Sequence, residues 1–313
     1  MISKNEKILI TGASGLVGKN LINRLNSEGY EVLGLDSKTD LRNEIETKKV
    51  FNEYSPTMVF HLAAKVGGIY ANSNFKADFY SDNVLINTNV VNSCLKNDVR
   101  YIFAMGTGCA YPKRLENQTL YEIDFLDGVP EITNDAYAYA KRGLLVHLKA
   151  LQESHNIKFT YCLPANLYGP FDNFHPLYSH VVPGLIRRFC DSVVKNSDHI
   201  SIWGDGTARR DFLYIDDCID AIILLAEKEF CGEVNVSSKT LTSIKELSEL
   251  IKIKTNFEGL IKYDTTQLSG QNQRYMDASK MDKLGWFPKI DLFNGINKTV
   301  DWFLDNRSII REK

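Results

Sequence analysis

The chain has 313 residues, 44% of them apolar and 24% charged, and its 37 Lys and Arg against 39 Asp and Glu leave a net charge of -2. That length suffices for one large or two moderate domains with a real core, and the near-neutral balance gives no general attraction to nucleic acid or anionic lipid. No apolar run is long enough to span a bilayer. The start, Met1 to Lys7, passes straight into a strand-like segment, so a cytoplasmic protein is expected. The six cysteines (Cys94, Cys109, Cys162, Cys190, Cys218, Cys231) are scattered and include no CxxC pair. They read as reduced thiols rather than a disulfide framework or a zinc site, and no metal is expected.

Lys7 to Thr11 reads as a buried strand, followed by the turn Gly12-Ala13-Ser14-Gly15-Leu16-Val17-Gly18 and an amphipathic helix through about Ser27. Glycines at this spacing allow a tight turn, close approach of backbone to a pyrophosphate and packing of helix on strand. The N–H groups at the helix start then face the phosphates. A tight turn without a ligand is the plainer alternative.

A second strand, Glu31 to Leu35, ends at Asp36, roughly twenty residues past the glycines, where an acid holds the ribose hydroxyls of NAD. Ser14, Ser37, Lys38 and Arg42 stand near enough in sequence to receive a 2′-phosphate instead, so NAD and NADP both stay open here. Thr57 to Ala64 forms a third strand running into small residues, over which a cofactor can lie close. Within it His61 reads as a packed or loop histidine rather than a catalyst. The glycine turn Lys65 to Asn72 can border a substrate, and Asn74 to Lys96 fits a long helix.

The fourth strand, Arg100 to Met105, opens into Gly106-Thr107-Gly108-Cys109-Ala110-Tyr111-Pro112 at the carboxyl edge of the sheet, where such folds bind ligands. If the extended geometry persists, Thr107 and Cys109 point to the same side. In the stretch Asn134 to Lys141, a helix puts Tyr137 and Lys141 on one face. A phenol has a reference pKa near ~10, and an ammonium beside it stabilises the phenolate and moves that pKa down. Such a pair can protonate a carbonyl oxygen while hydride reaches the carbon, although Tyr-x-x-x-Lys also arises by chance in many chains. A further strand follows at about Lys158 to Leu163.

This alternation argues an α/β fold, a Rossmann-like doubly wound parallel sheet with a smaller C-terminal α/β domain. The expected division is 1–167 for the dinucleotide-binding part, to which the chain returns at about 213–237, and 168–212 with 238–313 for a nucleotide-sugar part. There is no internal repeat or flexible linker.

Beyond Pro164 the texture changes to a loop rich in polar, aromatic and turn residues, Asn166 to Pro176. A helix carrying Arg187 and Arg188 follows His180. Then come Trp203-Gly204-Asp205-Gly206-Thr207 and a segment from Arg209 and Arg210 to Asp217. An aromatic plane with several guanidinium groups suits a base and a diphosphate, and a solvated basic face competes with that reading. A helix near Asp291 to Leu304 completes the smaller domain.

The ordered pieces TGASGLVG, HLAAKVGG, GTGCAYP, YAYAK, NLYGPFDNFHP, SHVVPGLIRRF and WGDGTARRDFLYIDD resemble the extended short-chain dehydrogenase/reductase family, in its branch acting on GDP-linked sugars, over nearly the whole chain. The resemblance implies a homodimer that uses NADPH, with NADH open because of Asp36, on a GDP-4-keto-6-deoxy sugar, epimerising C3 and C5 before reducing C4. By position Tyr137 would be the proton donor at C4, Lys141 its electrostatic partner, Thr107 the accompanying hydroxyl, and Cys109 with His180 the epimerisation pair. It places the cofactor on Gly12, Ser14, Gly15, Leu16, Val17, Gly18, Asp36, Ser37, Lys38, Leu62, Ala63, Ala64, Met105, Gly106, Lys141, Pro164, Asn166, Leu167 and His180. It places the nucleotide sugar on Asn166, Arg188, Trp203, Arg210 and Ser269.

Thr107-Gly108 stands where the family commonly has two serines, and Ser269 follows Leu268 where an Asp is common before the glycine. A heptose in place of the deoxyhexose is one consequence weighed here. Two rivals are a reductase fed by a separate epimerase and a dinucleotide-sensing protein without chemistry. The second is at odds with an intact Tyr-x-x-x-Lys pair. A 4,6-dehydratase would need an Asp-Glu pair after the fourth strand, which the chain lacks.

Overall fold

A computed structural model describes residues 2–115, 118–266, 273 and 275–310, and of Ile69 and Tyr70 the backbone alone. Ser269 lies outside the described residues. The N-terminal half alternates strand and helix: β1 (Ile8–Thr11), α1 (Leu16–Ser27), β2 (Val32–Leu35), α2 (Glu44–Tyr54) and β3 (Met58–His61). It continues through α3 (Ile69–Asn74), α4 (Lys76–Lys96), β4 (Tyr101–Met105), the two-residue β5 (Thr119–Leu120), α5 (Asp135–His155) and β6 (Lys158–Pro164).

Every residue of β1, β3 and β4 is buried. Both faces of these strands are covered, so they read as continuous apolar runs and not as an alternation. β2 is more open because it closes one edge of the sheet. The chain then forms β7 (Asn166–Tyr168), α6 (Val181–Val194), β8 (His199–Trp203) and β9 (Arg209–Tyr214). After these the chain forms α7 (Ile215–Glu227) and β10 (Gly232–Val236), which pairs in parallel with β6. The six-stranded sheet then has the order β10-β6-β4-β3-β1-β2, all parallel. Helices α2, α4 and α5 pack in succession as one flanking layer, and α1 packs on α7 in the other.

The last elements are β11 (Leu241–Ser243), α8 (Ile244–Thr255), β12 (Leu260–Asp264), β13 (Tyr275–Met276), α9 (Ser279–Lys283) and α10 (Leu292–Asp305). Strands β7, β9 and β11 make a three-stranded sheet, and β8 pairs with β12. Helix α8 starts with a reciprocal capping box between Ser243 and Glu246, a start signal visible in the sequence. The loop 169–176 is fastened to α10 by rings, with Phe171 centred 5.0 Å from Trp302 and Phe174 4.8 Å from Phe303.

Two boundaries differ from expectation. The third strand stops at His61, because Thr11 Oγ1 accepts the N–H groups of Leu62 and Ala63 and ends the ladder. The segment after Gly68 is not an open turn but the short helix α3, whose Asn72 donates back to Gly67 O and Gly68 O.

The strand order reverses between β1 and β3, so the crevice for a ligand opens at their carboxyl ends. Gly12, in the left-handed region at φ 72°, lies so close to the β3 loop that a Cβ there would sit 2.8 Å from Ala63 N.

Candidate active site

The glycine turn forms a cradle that fits a diphosphate. A Cβ on Gly18 would approach Gly12 O to 2.2 Å, so α1 packs directly on the turn. Gly15 occupies the N-cap of α1 without a side chain to satisfy the first N–H groups, and a helix start left open in this way attracts an anion. Asp36 at the end of β2 accepts the N–H of Lys38 at 2.9 Å. Ser37 and Lys38 are exposed. Arg42 is not free for a 2′-phosphate: its Nε and Nη2 each lie 2.9 Å from the Asp40 carboxylate, and Nη1 is 3.4 Å from Asp82.

His61 is wholly buried, which confirms a packed histidine. Its Nδ1 is 2.9 Å from Thr11 Oγ1, and its Nε2 is 3.0 Å from Asn87 Oδ1. Burial pulls its pKa down to about 3, the Lys141 charge adding to the effect, so the ring is neutral. Since Thr11 Oγ1 already accepts two backbone N–H groups, its hydroxyl proton goes to Nδ1. The Nε2–H then donates to Asn87, whose amide donates to Ala140 O of α5 at 3.3 Å. This chain of bonds runs from the glycine turn to the helix that bears Tyr137.

On α5, Lys141 is 1% exposed and donates to Met105 O at 2.8 Å, with its Nζ 6.0 Å from the centre of the Tyr137 ring. Burial lowers the ammonium's pKa to about 8. The Tyr137 phenol is not moved down as the sequence led us to expect. Desolvation by the surrounding protein pushes it up, and the neighbouring Cys109 adds to the effect. The reason is geometric: the ammonium is bonded to the Met105 carbonyl, leaving desolvation to dominate at the phenol. Phe79 of α4 closes the other side, edge-on to Tyr137 at 6.4 Å.

The extended geometry after β4 does not persist. Thr107 is itself extended but caps a single 3₁₀ turn, Gly108–Ala110, by accepting Cys109 N–H at 3.2 Å on Oγ1. The turn leaves Cys109 exposed. Its carbonyl accepts from Asn134 Nδ2 at 3.1 Å, and the Ala110 carbonyl accepts from Arg142 Nε at 2.8 Å. Gly108 packs against Met276 Sδ and Pro164 O, where a Cβ would stand at 3.2 and 3.3 Å. Gly106 abuts the Tyr161 ring, whose hydroxyl donates to Lys141 O at 2.8 Å.

His180 is exposed at the N-cap of α6. The segment just before it touches the β3–α3 loop: Gly68 N–H donates to Tyr178 O at 3.2 Å, and a Cβ on Gly68 would lie 2.9 Å from Ser179 O. Further out, Arg188 is exposed and donates to Ser201 O at 2.9 Å on the strand that presents Trp203, whose side chain is also exposed. Desolvation by the surrounding protein lowers the Arg188 pKa, and no carboxylate pairs with it among the described residues. Asn166 Nδ2 donates to Asp211 O at 2.9 Å, which sets β7 beside the strand carrying Arg210. Leu62, Ala63, Ala64, Met105 and Pro164 stand at strand ends or in the loops that leave them, and Leu167 is the middle residue of β7.

The sequence reading gave no role to Asn134, Arg142, Thr11 or Asn87. An Asn before a helix reads as a cap, and a buried Asn-His-Thr chain has no signature in spacing. Among the described residues there is no group of three or more possible metal ligands, and no helix is long and apolar enough to cross a membrane.

Residues 8–237 match the NAD dependent epimerase/dehydratase family. GDP-L-fucose synthase 1 of Arabidopsis thaliana is 38% identical over 310 residues, 98% of this chain and 95% of that one. A GDP-L-fucose synthetase from Naegleria fowleri, solved bound to NADP, superposes with a TM-score of 0.88 at 32% identity, covering 99% of this chain and 96% of that one. A GDP-6-OMe-4-keto-L-xylo-heptose reductase from C. jejuni gives a TM-score of 0.91 at 26% identity, covering 97% and 99%. A glycine cradle alone is common to many folds of this kind; agreement along almost the entire length is not, and the chain belongs to the NAD dependent epimerase/dehydratase family, as an oxidoreductase of its GDP-L-fucose synthase group.

Proposed function

We propose that the protein reduces the C4 ketone of a GDP-4-keto-6-deoxy sugar after epimerising C3 and C5. The observation that carries this reading is that the turn bearing Cys109 is tied to the helix bearing Tyr137 and Lys141, Asn134 Nδ2 donating to Cys109 O at 3.1 Å and Arg142 Nε to Ala110 O at 2.8 Å. In this reading 1–167 with 213–237 holds the dinucleotide, and 168–212 with 238–313 holds the nucleotide sugar. Bound NADPH supplies the hydride that ends the reaction.

The chain's own groups supply the rest. C3 and C5 both lie α to the ketone, so their protons are acidified through an enolate. At each centre in turn the Cys109 thiolate removes the proton and passes it on to solvent, and His180 returns one to the opposite face. Tyr137, held in its protonated form by burial, donates to the C4 oxygen. Lys141 offers positive charge beneath it. Thr107 has one lone pair engaged by Cys109 N–H, and its O–H is left to donate to the same oxygen. Arg188, Arg210 and the Trp203 face receive the diphosphate and base, with Asn166 on the sugar side.

Gly12, Ser14, Gly15 and the start of α1 cradle the cofactor diphosphate, and Ser37 and Lys38 flank the 2′ position. Asp36 leaves NADH as a second, weaker cofactor. We place the protein in the cytoplasm and read it as a homodimer; exposed apolar side chains on the adjacent helices α4 and α5, Tyr80, Leu85, Tyr139 and Val146, support the dimer.

The test is incubation with substrate in D₂O, following the sugar protons. Tyr137→Phe should stop reduction and still exchange deuterium into C3 and C5, whereas Cys109→Ser should abolish exchange. Absence of exchange in the wild type would leave the reductase-only reading, which the similarity to a heptose reductase favours.

A further inference from the structure

Asn134 stands at the N-cap of α5, yet its side chain makes no cap hydrogen bond. An asparagine at this position ordinarily accepts an N–H of the first turn. Here the backbone takes φ -138° and ψ 17°, and the amide turns aside to donate to Cys109 O at 3.1 Å. Its Oδ1 is buried without a partner among the described residues. Both the forgone cap and the lone oxygen work against stability, and neither is required to start the helix, because Asp135 Oδ1 accepts Ala136 N–H at 2.7 Å beside it. Local rules broken at a position with no packing gain mark a functional constraint.

We infer that Asn134 is a positioning residue: it ties the backbone of Cys109 to the helix that bears Tyr137 and Lys141, so that the thiol and the phenol keep a fixed separation across one sugar ring. Beside its own backbone bonds, side chains hold the turn through Thr107 Oγ1 on Cys109 N, Asn134 on Cys109 O and Arg142 on Ala110 O, the last two from α5 and its N-cap. Among the described residues only the Asn134 bond acts on the carbonyl of the thiol-bearing residue itself, and Asn134 is three residues from Tyr137, less than one helical turn. A shift of the turn would move Sγ relative to the ring while leaving the phenol where it is. The inference rests on the proposed role of Cys109 as the base for C3 and C5.

The test uses Asn134→Ser, whose shorter hydroxyl can cap the helix but does not reach Cys109 O, together with Asn134→Ala. For Asn134→Ser the melting temperature should be unchanged or raised. Deuterium exchange at C3 and C5 should fall about tenfold or more, the scale set by small misplacements of a catalytic group. The isotope effect from NADPH carrying deuterium at the transferred position should shrink, since proton abstraction then limits turnover. A second reading is independent of catalysis. In a Cys231→Ser background, which removes the other exposed cysteine, the pH profile of Cys109 alkylation by iodoacetamide should shift in both Asn134 variants. Wild-type exchange and an unshifted alkylation profile in Asn134→Ser would overturn the inference. Lack of exchange in the wild type with a shifted alkylation profile would instead remove the epimerase reading and leave the positioning role standing.

Discussion

The Lys141 ammonium donates to the carbonyl of Met105 at 2.8 Å, joining helix α5 to the carboxyl end of β4 at the point where the chain turns towards Cys109. The bond leaves a cation inside the protein with a pKa lowered to about 8 by burial. It also explains why Tyr137 keeps its proton: the positive charge is directed at a carbonyl, and the phenol is left to the effect of desolvation.

A pH limb follows. Below about 8 the Lys141 ammonium is charged and supports transfer of the phenolic proton; above about 8 it loses its proton and that support. The reductive rate measured at saturating substrate should therefore fall as pH rises through this value. Lys141→Arg, which stays charged, should shift or abolish the limb while lowering the maximum. A rate that holds flat to pH 10 in the wild type would contradict the assignment.

His61 has its folded pKa depressed from 6.5 to about 3. The unfolded state then binds the extra proton first, so the stability due to a neutral His61 is complete above pH 6.5 and declines as pH falls towards 3. The slope approaches about 1.4 kcal/mol per pH unit in that window. His61→Gln should be destabilised at pH 7.5, and the gap to wild type should narrow on acidification. Thermal or urea unfolding at several pH values measures this; a gap that stays constant would show that the ring does not titrate as described.

Gly68 is the point where the β3–α3 loop meets the segment ahead of His180. A methyl group there would sit 2.9 Å from the backbone oxygen of Ser179, which cannot yield as a flexible side chain would. Gly68→Ala should displace Ser179 and with it His180. The expected outcome is a loss of epimerisation of about tenfold, with proton removal by Cys109 less affected than return to the inverted face. Product NMR would show exchange without inversion.

Arg188 is an exposed cation with two main-chain acceptors and no carboxylate partner among the described residues, so its charge is left for a diphosphate. Arg188→Met should leave the melting temperature nearly unchanged while increasing KM for the GDP-sugar by about tenfold or more. Arg188→Lys should not restore affinity, because an ammonium lacks the planar fork. Calorimetry with GDP alone would separate loss of nucleotide binding from loss of sugar binding.

Much of this could be read along the chain. The apolar runs at Ile8 to Thr11 and Tyr101 to Met105, the glycine turn, and the four-residue spacing of Tyr137 and Lys141 are local patterns, and local patterns are set by backbone sterics and burial periodicity. They determined the alternating strands and helices, and with them the crevice at the strand ends. The resemblance across the chain added the chemistry of Cys109 and His180 as an expectation.

What tertiary structure alone decided was direction and partner. The Lys141 proton points to Met105 O, and Asp82 of α4, 40 residues on in sequence, joins Asp40 at Arg42. Asn134 abandons its helix for a carbonyl 25 residues away in sequence. These outcomes depend on which donor and acceptor are brought within about 3 Å of each other, a distance fixed by the packing of α4 and α5 on the sheet and carried by no stretch of sequence taken singly.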